Sequence, residues 1–235
     1  MMAPPLQRHG KTQVKLHVKI LEVITIEEIS SIFELKFTLC SEWIDSRLTY
    51  LNLQNDKYIN VIEDTTSVWS PKYHLSNTNK NKDRNPLGEE IITVIPNHQF
   101  IYERSDLTES IKANKFSGKQ NYLKKTETYQ AVFNCRYDMH WYPFDIQICF
   151  MDIVTSRNLN KFMDLQPNGL DYDGNPVVFS QYTVLGKFIC SAQIGDKVGI
   201  KVDFLLQRGL MSPFLTIYMP TLLINIIGMH ITKLG

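Results

Sequence analysis

The sequence predicts an all-β domain that runs into one long apolar helix. Three observations carry this reading. Several segments alternate apolar and polar residues with a period of two, the pattern of strands with one buried face. Two cysteines, Cys135 and Cys149, flank a short run between two such segments. The stretch from Gly209 to Thr232 contains no Asp, Glu, Lys or Arg.

The first strand is expected over Val14 to Ile26, where Val14, Leu16, Val18 and Ile20 alternate with Lys15, His17 and Lys19. Glu27-Glu28 makes an acidic turn. Phe33, Leu35, Phe37 and Leu39 form the apolar face of the next strand, opposite Glu34, Lys36, Thr38 and Cys40. Two alternating strands with a short turn between them suggest a hairpin in an antiparallel sheet. Asn77 to Asn85 is rich in Asn and Lys, with Pro86 and Gly88 after it, and reads as a solvated loop. Ile91 to Ile95 resumes β character, and Phe100 to Tyr102 extends it. Leu107 to Lys125 is polar and mixed, and reads as a long loop with at most one helical turn. Tyr129, Ala131, Phe133, Cys135 and Tyr137 alternate again, as do Phe144, Ile146, Ile148 and Phe150.

The cysteines are expected to staple these last two strands where they leave the sheet. Closing a loop of about fifteen residues is worth ~3 kcal/mol in the chain-entropy view. A structural disulfide points to an oxidising, extracellular-type compartment. The pairing of Cys40 and Cys190 is not legible. The stapled loop carries an apolar apex, Trp141-Tyr142-Pro143-Phe144, before Asp145. Such a cluster marks a contact with something else if exposed; folding back into its own core is the other reading, and both stay open.

Asp171-Tyr172-Asp173-Gly174-Asn175 resembles the start of a calcium loop, but Tyr182 stands where a chelating Glu belongs. A turn rich in Asp, Gly and Asn is the better reading. Val177 to Phe188 and Val198 to Leu206 are expected strands, with Ile194-Gly195-Asp196-Lys197 turning between them. The charge-free stretch after Arg208 spans roughly 36 Å as a helix, against about 30 Å of bilayer hydrocarbon. Pro220 is tolerated in a membrane helix. Arg208, Tyr218 and Lys233 suit interface anchoring, and Asn225 and His230 suggest one face turned to protein.

The chain has 235 residues and a net charge of +1, so nucleic-acid binding has no electrostatic support. The six histidines lack metal-ligand spacing. His140 is a candidate proton sensor or a bystander. There is no Gly-x-Ser-x-Gly, phosphate loop or His-Glu-x-x-His. No enzyme and no cofactor are expected. Met1-Met2-Ala3-Pro4-Pro5 precedes no apolar core, so no leader is visible, and there is no Asn-x-Ser/Thr sequon.

The loop from Cys135 to Cys149, with Pro143, Phe144, Asp145 and Gln147 inside it, resembles the signature of the Cys-loop family of pentameric ligand-gated ion channels. Trp43-Ile44-Asp45-Ser46-Arg47-Leu48 is similar to a second motif of that family, and Trp69-Ser70-Pro71 to a third, although Lys72 replaces its usual Asp. By residue type alone, Trp43 is a core residue beside an Asp45–Arg47 surface pair.

The resemblance spans nearly the whole chain and implies a twisted antiparallel β-sandwich of about ten strands over 1–208, extracellular, followed by a first transmembrane helix over 209–235. It implies homo- or hetero-pentamers in the plasma membrane, in contact with lipid, with a small-molecule ligand between neighbouring sandwiches. The family's pore is lined by the second of four membrane helices, so the chain as written is expected to bind and transmit rather than conduct.

The resemblance places the ligand pocket at Thr38, Ser76, Ser156 and Phe188. The first three are not aromatic, so the ring cage that holds quaternary amines by cation–π attraction is not expected. For coupling, Arg208 is expected to pair with Asp145 and with Glu28 or Glu27, while Trp141, Tyr142, Pro143 and Phe144 rest on the pore domain. A soluble or non-conducting homologue is the alternative, and the stretch after Arg208 argues against it. An immunoglobulin-type sandwich would space its cysteines much further apart.

Overall fold

The computed structural model describes residues 3–5, 10–55, 59–78, 87–88, 90–97, 115–155, 158–173 and 182–234. The chain forms a β-sandwich with a helix at its C-terminal end. Among the described residues there are eleven strands. They are β1 (Thr12–Glu27), β2 (Ile32–Trp43), β3 (Thr49–Leu51), β4 (Tyr73–Leu75), β5 (Ile91–Ile95), β6 (Lys115–Ser117), β7 (Tyr122–Asn134), β8 (Ile146–Thr155), β9 (Met163–Tyr172), β10 (Tyr182–Ile194) and β11 (Lys197–Arg208).

One sheet has the order β5-β7-β2-β1-β9 and the other β10-β11-β8-β4, with β3 and β6 pairing alone. Val14, Leu16, Val18 and Ile20 of β1 and Phe33, Leu35, Phe37 and Leu39 of β2 all point into the core. They meet Met151 and Ile153 of β8 and Ile200, Val202 and Phe204 of β11. Phe33 links the layers, its ring 5.4 Å from Phe133 and 5.8 Å from Phe204. Trp43 and Trp69 pack edge to face at 6.0 Å, so two of the sequence motifs form one core contact.

Several sequence expectations are corrected. β7 starts at Tyr122, inside the stretch read as a loop. The pattern hid it because two of its core-facing residues are charged, Lys125 and Glu127, which pair at 2.9 Å. β9 was not anticipated, and it runs parallel to β1, whereas every other strand pairing among the described residues is antiparallel. It is an edge strand, which is where Pro167 can be accommodated without losing a ladder hydrogen bond. Asp171 and Asp173 of this region face β1, pairing with His17 at 3.0 Å and Lys19 at 2.5 Å.

Asn77 is not in a solvated loop: its amide donates to the Phe150 carbonyl at 2.5 Å and accepts from the Asp152 amide at 2.9 Å. Asp45 is fully buried rather than on the surface, held by Arg47 through Nε at 2.9 Å and a terminal nitrogen at 2.7 Å. Thr78 is buried too, bridged to Phe133. Residues 79–85, the Phe100–Tyr102 extension and the start of the Val177–Phe188 strand lie outside the described residues.

Cys135 and Cys149 are bonded, with Cα atoms 5.1 Å apart. β7 and β8 belong to different sheets. The staple therefore ties the two layers together rather than closing a hairpin within one sheet. Cys40 and Cys190 are free thiols. Gly195 turns β10 into β11 with φ +60°, a backbone that an L side chain resists.

After Arg208 the chain enters a helix from Met211 to Leu234, with a π-helical turn over Phe214–Tyr218. Pro220 cannot donate to the ladder and crowds the carbonyl one turn earlier, and the wide turn sits where that strain falls. Residues Met211–Ile231 are long and apolar enough to cross a membrane, and from Phe214 on all of that span is exposed. Thr216 and Thr221 return their hydroxyls to the Ser212 and Ile217 carbonyls at 2.7 and 2.6 Å, which satisfies polar groups that lipid could not.

Candidate functional site

The β8–β11 register sets Gln207 opposite Ile146. That places Asp145, just ahead of β8, beside Arg208, the last residue of β11. The Arg208 amide donates to the Asp145 carbonyl at 3.3 Å. The side chains then make a two-point fork, Nε to Oδ1 at 2.6 Å and a terminal nitrogen to Oδ2 at 3.0 Å. The β1–β2 turn brings in Glu28, whose Oε1 accepts from Arg208 at 2.5 Å. Glu27 takes no part in this: its carboxylate accepts from Ser30 Oγ at 2.9 Å.

Arg208 also donates to the Tyr182 hydroxyl at 2.5 Å, and the Tyr142 and Tyr182 rings lie 4.7 Å from its guanidinium carbon. Gln147 braces the other side, donating to the Asp145 carboxylate and to the Asp138 carbonyl, the latter at 2.7 Å.

Arg208 is 6 % exposed and Asp145 3 %. Burial alone would raise the Asp145 carboxyl, but the hydrogen bonds from Arg208 and Gln147 outweigh it and hold the group below the ordinary carboxylate range. Burial, then the Glu28 carboxylate, pushes the Tyr182 phenol up. Burial would lower the guanidinium, but Asp145 and Glu28 keep it charged. Arg208 is therefore enclosed by protein, its charge met within the chain.

The apex of the stapled loop divides. Trp141 and Phe144 are 73 % and 74 % exposed. Pro143 is buried, and Tyr142 lies against Arg208. Both readings of the apex thus describe part of it. Tyr142, Glu28, Ile29, Arg208, Pro213 and Thr216 surround a cleft of about 580 Å³ between the sandwich and the helix.

The four candidate pocket residues do not converge. Phe188 is exposed on the edge strand β10. Ser76 sits at the end of β4, its amide donating to the Asp152 carbonyl at 3.0 Å and its hydroxyl to Asp152 Oδ2 at 3.4 Å. Thr38 is on β2 of the opposite sheet, its hydroxyl 3.1 Å from that of Thr128. Ser156 lies outside the described residues.

Around Ser76 the structure adds residues that sequence reasoning missed. Lys201 stands opposite Asp152 on β11, pairs with Asp203 at 3.3 Å and lies 4.4 Å from the Phe150 ring centre. Burial pushes the Asp152 carboxyl up, against the pull of Lys201. The polar alternation Lys201, Asp203 was visible in the sequence, but its pairing with β8 was not.

Comparison with known proteins agrees with this architecture. The neurotransmitter-gated ion-channel ligand binding domain family matches residues 1–194. A glutamate-gated chloride channel of Drosophila melanogaster is 24% identical over 230 residues, which cover 93% of this chain and 44% of that protein. The chain thus spans less than half the length of this relative. The family is one of ligand-gated channels rather than enzymes, and a disulfide-stapled β-sandwich leading into a membrane-length helix is what its match predicts. By the family match over most of its length, the chain belongs to the neurotransmitter-gated ion-channel ligand-binding domain family, the Cys-loop receptor subunits.

Proposed function

We propose that the chain supplies the extracellular ligand-binding domain and first membrane helix of one subunit of a pentameric channel in the plasma membrane, and that Arg208 couples ligand binding to the membrane. The observation that carries this is the three-way contact at the start of the helix. One guanidinium grips Asp145 of the stapled loop and Glu28 of the first hairpin turn at once. Any displacement of either loop changes a buried, bidentate charge contact, the kind that is both strong and geometrically strict. The exposed Trp141 and Phe144 then offer an apolar surface to the pore domain.

The scattered pocket residues support a ligand site completed by a neighbouring subunit. Thr38 faces outward from one sheet while Ser76 and Phe188 belong to the other, so a single chain does not enclose a ligand with them. A small polar ligand suits this set better than a quaternary amine. The relative's ligand is glutamate and its ion is chloride, which makes these the first ligand and ion to try.

The experiment is a chimera in which residues 1–234 are joined to the remaining pore domain of the Drosophila relative and expressed in oocytes. The proposal expects ligand-evoked current from a panel of amino-acid and amine transmitters, five subunits per particle, and loss of current with retained ligand binding in Arg208→Gln. Current that survives Arg208→Gln unchanged removes the coupling role.

A further inference from the structure

Two buried aspartates lie along β8, Asp145 just ahead of it and Asp152 within it, and their surroundings differ. Asp145 accepts a two-point fork from Arg208 and a further bond from Gln147. Asp152 is 7 % exposed and far less well held. Its Oδ2 accepts from the Ser76 hydroxyl at 3.4 Å, a long contact, and its Oδ1 is buried without a hydrogen bond. Buried polar atoms are rarely left so, and a buried carboxylate short of donors is costly.

The groups facing Asp152 do not relieve it. On β11, Lys201 stands opposite, but its ammonium pairs with Asp203 at 3.3 Å and lies 4.4 Å from the Phe150 ring centre. Asp203 brings a second carboxylate. On β10, Cys190 stands opposite Lys201. On β4, His74 is exposed and stands opposite Val154, two positions along β8. The Asn77 side-chain amide donates to the Phe150 carbonyl. Burial raises the Asp152 carboxyl against the pull of Lys201 and Ser76, and Asp203 adds to the rise. Oδ1 is enclosed, so what completes it is a proton rather than a larger ligand.

Asp152 also sits where a segment crosses between the sheets. Its carbonyl accepts from the Ser76 amide at 3.0 Å, and its amide donates to Asn77 Oδ1 at 2.9 Å. The Asn77 carbonyl accepts from the Asn134 amide of β7 at 2.9 Å, and Thr78 is bridged to Phe133. β7 belongs to the other sheet, and Asn134 adjoins the stapled Cys135.

We propose that Asp152 is a proton-uptake site and an acid-responsive clasp between the two sheets. As pH falls, the carboxylate takes one proton from water and becomes neutral. The new O–H donates to Ser76 Oγ, whose own hydrogen turns away, and Lys201 is left to Asp203. With the buried charge gone, residues 76–78 are held more firmly on β8 and β7. A carboxyl that titrates above the ordinary 3.8 when folded binds its proton more tightly folded than unfolded, so the clasp tightens as pH falls through the window above 3.8. The clasp stands on the sandwich alone and depends neither on the coupling role of Arg208 nor on Ser76 lining a ligand pocket.

The test uses the full chain in lipid nanodiscs. Infrared titration from pH 7 to pH 4 follows the carbonyl band of protonated carboxyls, and hydrogen-exchange mass spectrometry follows the peptides that carry residues 76–78 and Asp152. Asp152→Asn is expected to delete a band whose midpoint lies above 3.8. In wild type, protection of these peptides, corrected for intrinsic exchange, is expected to rise about two- to tenfold from pH 7 to pH 4, and to stay flat in Asp152→Asn. Lys201→Met removes a charge that favours the carboxylate and should move the midpoint up; Asp203→Asn removes one that opposes it and should move the midpoint down. Should Asp152→Asn fail to fold, these two variants still decide. A midpoint above 3.8 that moves in these directions, with protection that rises in acid, supports the clasp. A midpoint at or below 3.8, a midpoint that neither charge moves, or protection that ignores pH or still responds in Asp152→Asn overturns it.

Discussion

Asp145→Asn is the sharpest probe of the junction. It keeps the shape and one acceptor oxygen but leaves the Arg208 charge buried with a single carboxylate partner, Glu28. Removing one member of a buried ion pair costs roughly 3–5 kcal/mol. Glu28 remains at 2.5 Å and offsets part of that, so about 3 kcal/mol is expected. For a domain of this size each kcal/mol moves the melting temperature by about 2–4 °C, which gives a fall of about 6–12 °C.

The assay is a double-mutant cycle by calorimetry, with Asp145→Asn, Arg208→Gln and the pair together. Once Arg208 is neutral, Asp145 has lost its partner, so the second change should cost little and the cycle should show a coupling of about 1.5 kcal/mol or more. Costs that add to within about 0.5 kcal/mol refute the reasoning. Arg208 and Asp145 would then be stabilised independently, and the fork would not be the element that links loop to helix.

The same contact has a pH signature. Asp145 titrates lower when folded than the ordinary value of 3.8, so its contribution is present above that value and lost as pH falls through the folded pKa; wild type should lose more stability than Asp145→Asn when melting temperatures are compared between pH 5 and pH 2. Asp152 is raised instead, so ionising it costs stability as pH rises through the window above 3.8. Asp152→Asn should therefore melt higher than wild type at pH 7, with the gain disappearing near pH 3. A Cβ on Gly118 would stand 2.2 Å from the Asp45 carbonyl oxygen and 2.9 Å from that of Leu48. Both are backbone atoms, so Gly118→Ala should cost about 1–3 kcal/mol in a urea titration. Cys135→Ser opens a loop closed across 14 positions, and it should cost about 3 kcal/mol in the same titration under non-reducing conditions.

Much of the sandwich was legible because alternation reports which face is buried. β1, β2 and β11 were found that way, and so was the turn at Gly195. Where the inside of the sheet is charged, the signal vanished: Lys125 and Glu127 made β7 look like the tail of a loop. Asp152 hid for the opposite reason. It sits in an apolar run, with nothing local to show that Ser76 and Lys201 stand across from it.

The residues of the Arg208 contact were legible as a set. Arg208 stands before a charge-free stretch, Asp145 inside the stapled loop, and Glu28 in an acidic turn. Glu27 and Glu28 could not be told apart, because which of two adjacent side chains faces inward depends on the turn geometry. The pocket residues were placed by motif distance, which gives a position along the chain but says nothing about which sheet it ends on.

By itself, the sequence determined the local quantities: where strands alternate, where a helix is long and apolar enough for lipid, and which cysteines are near enough to pair. Those follow from residue type and spacing, which short-range sterics and hydrophobicity read directly. Only the tertiary structure decided that the disulfide joins two layers, that β9 lies parallel to β1, that Arg208 is buried among Asp145, Glu28 and Tyr182, and that the buried Lys125 meets Glu90. Each is a contact between segments far apart in the chain, fixed by register and layer order, and no local pattern encodes which distant partner a residue will meet.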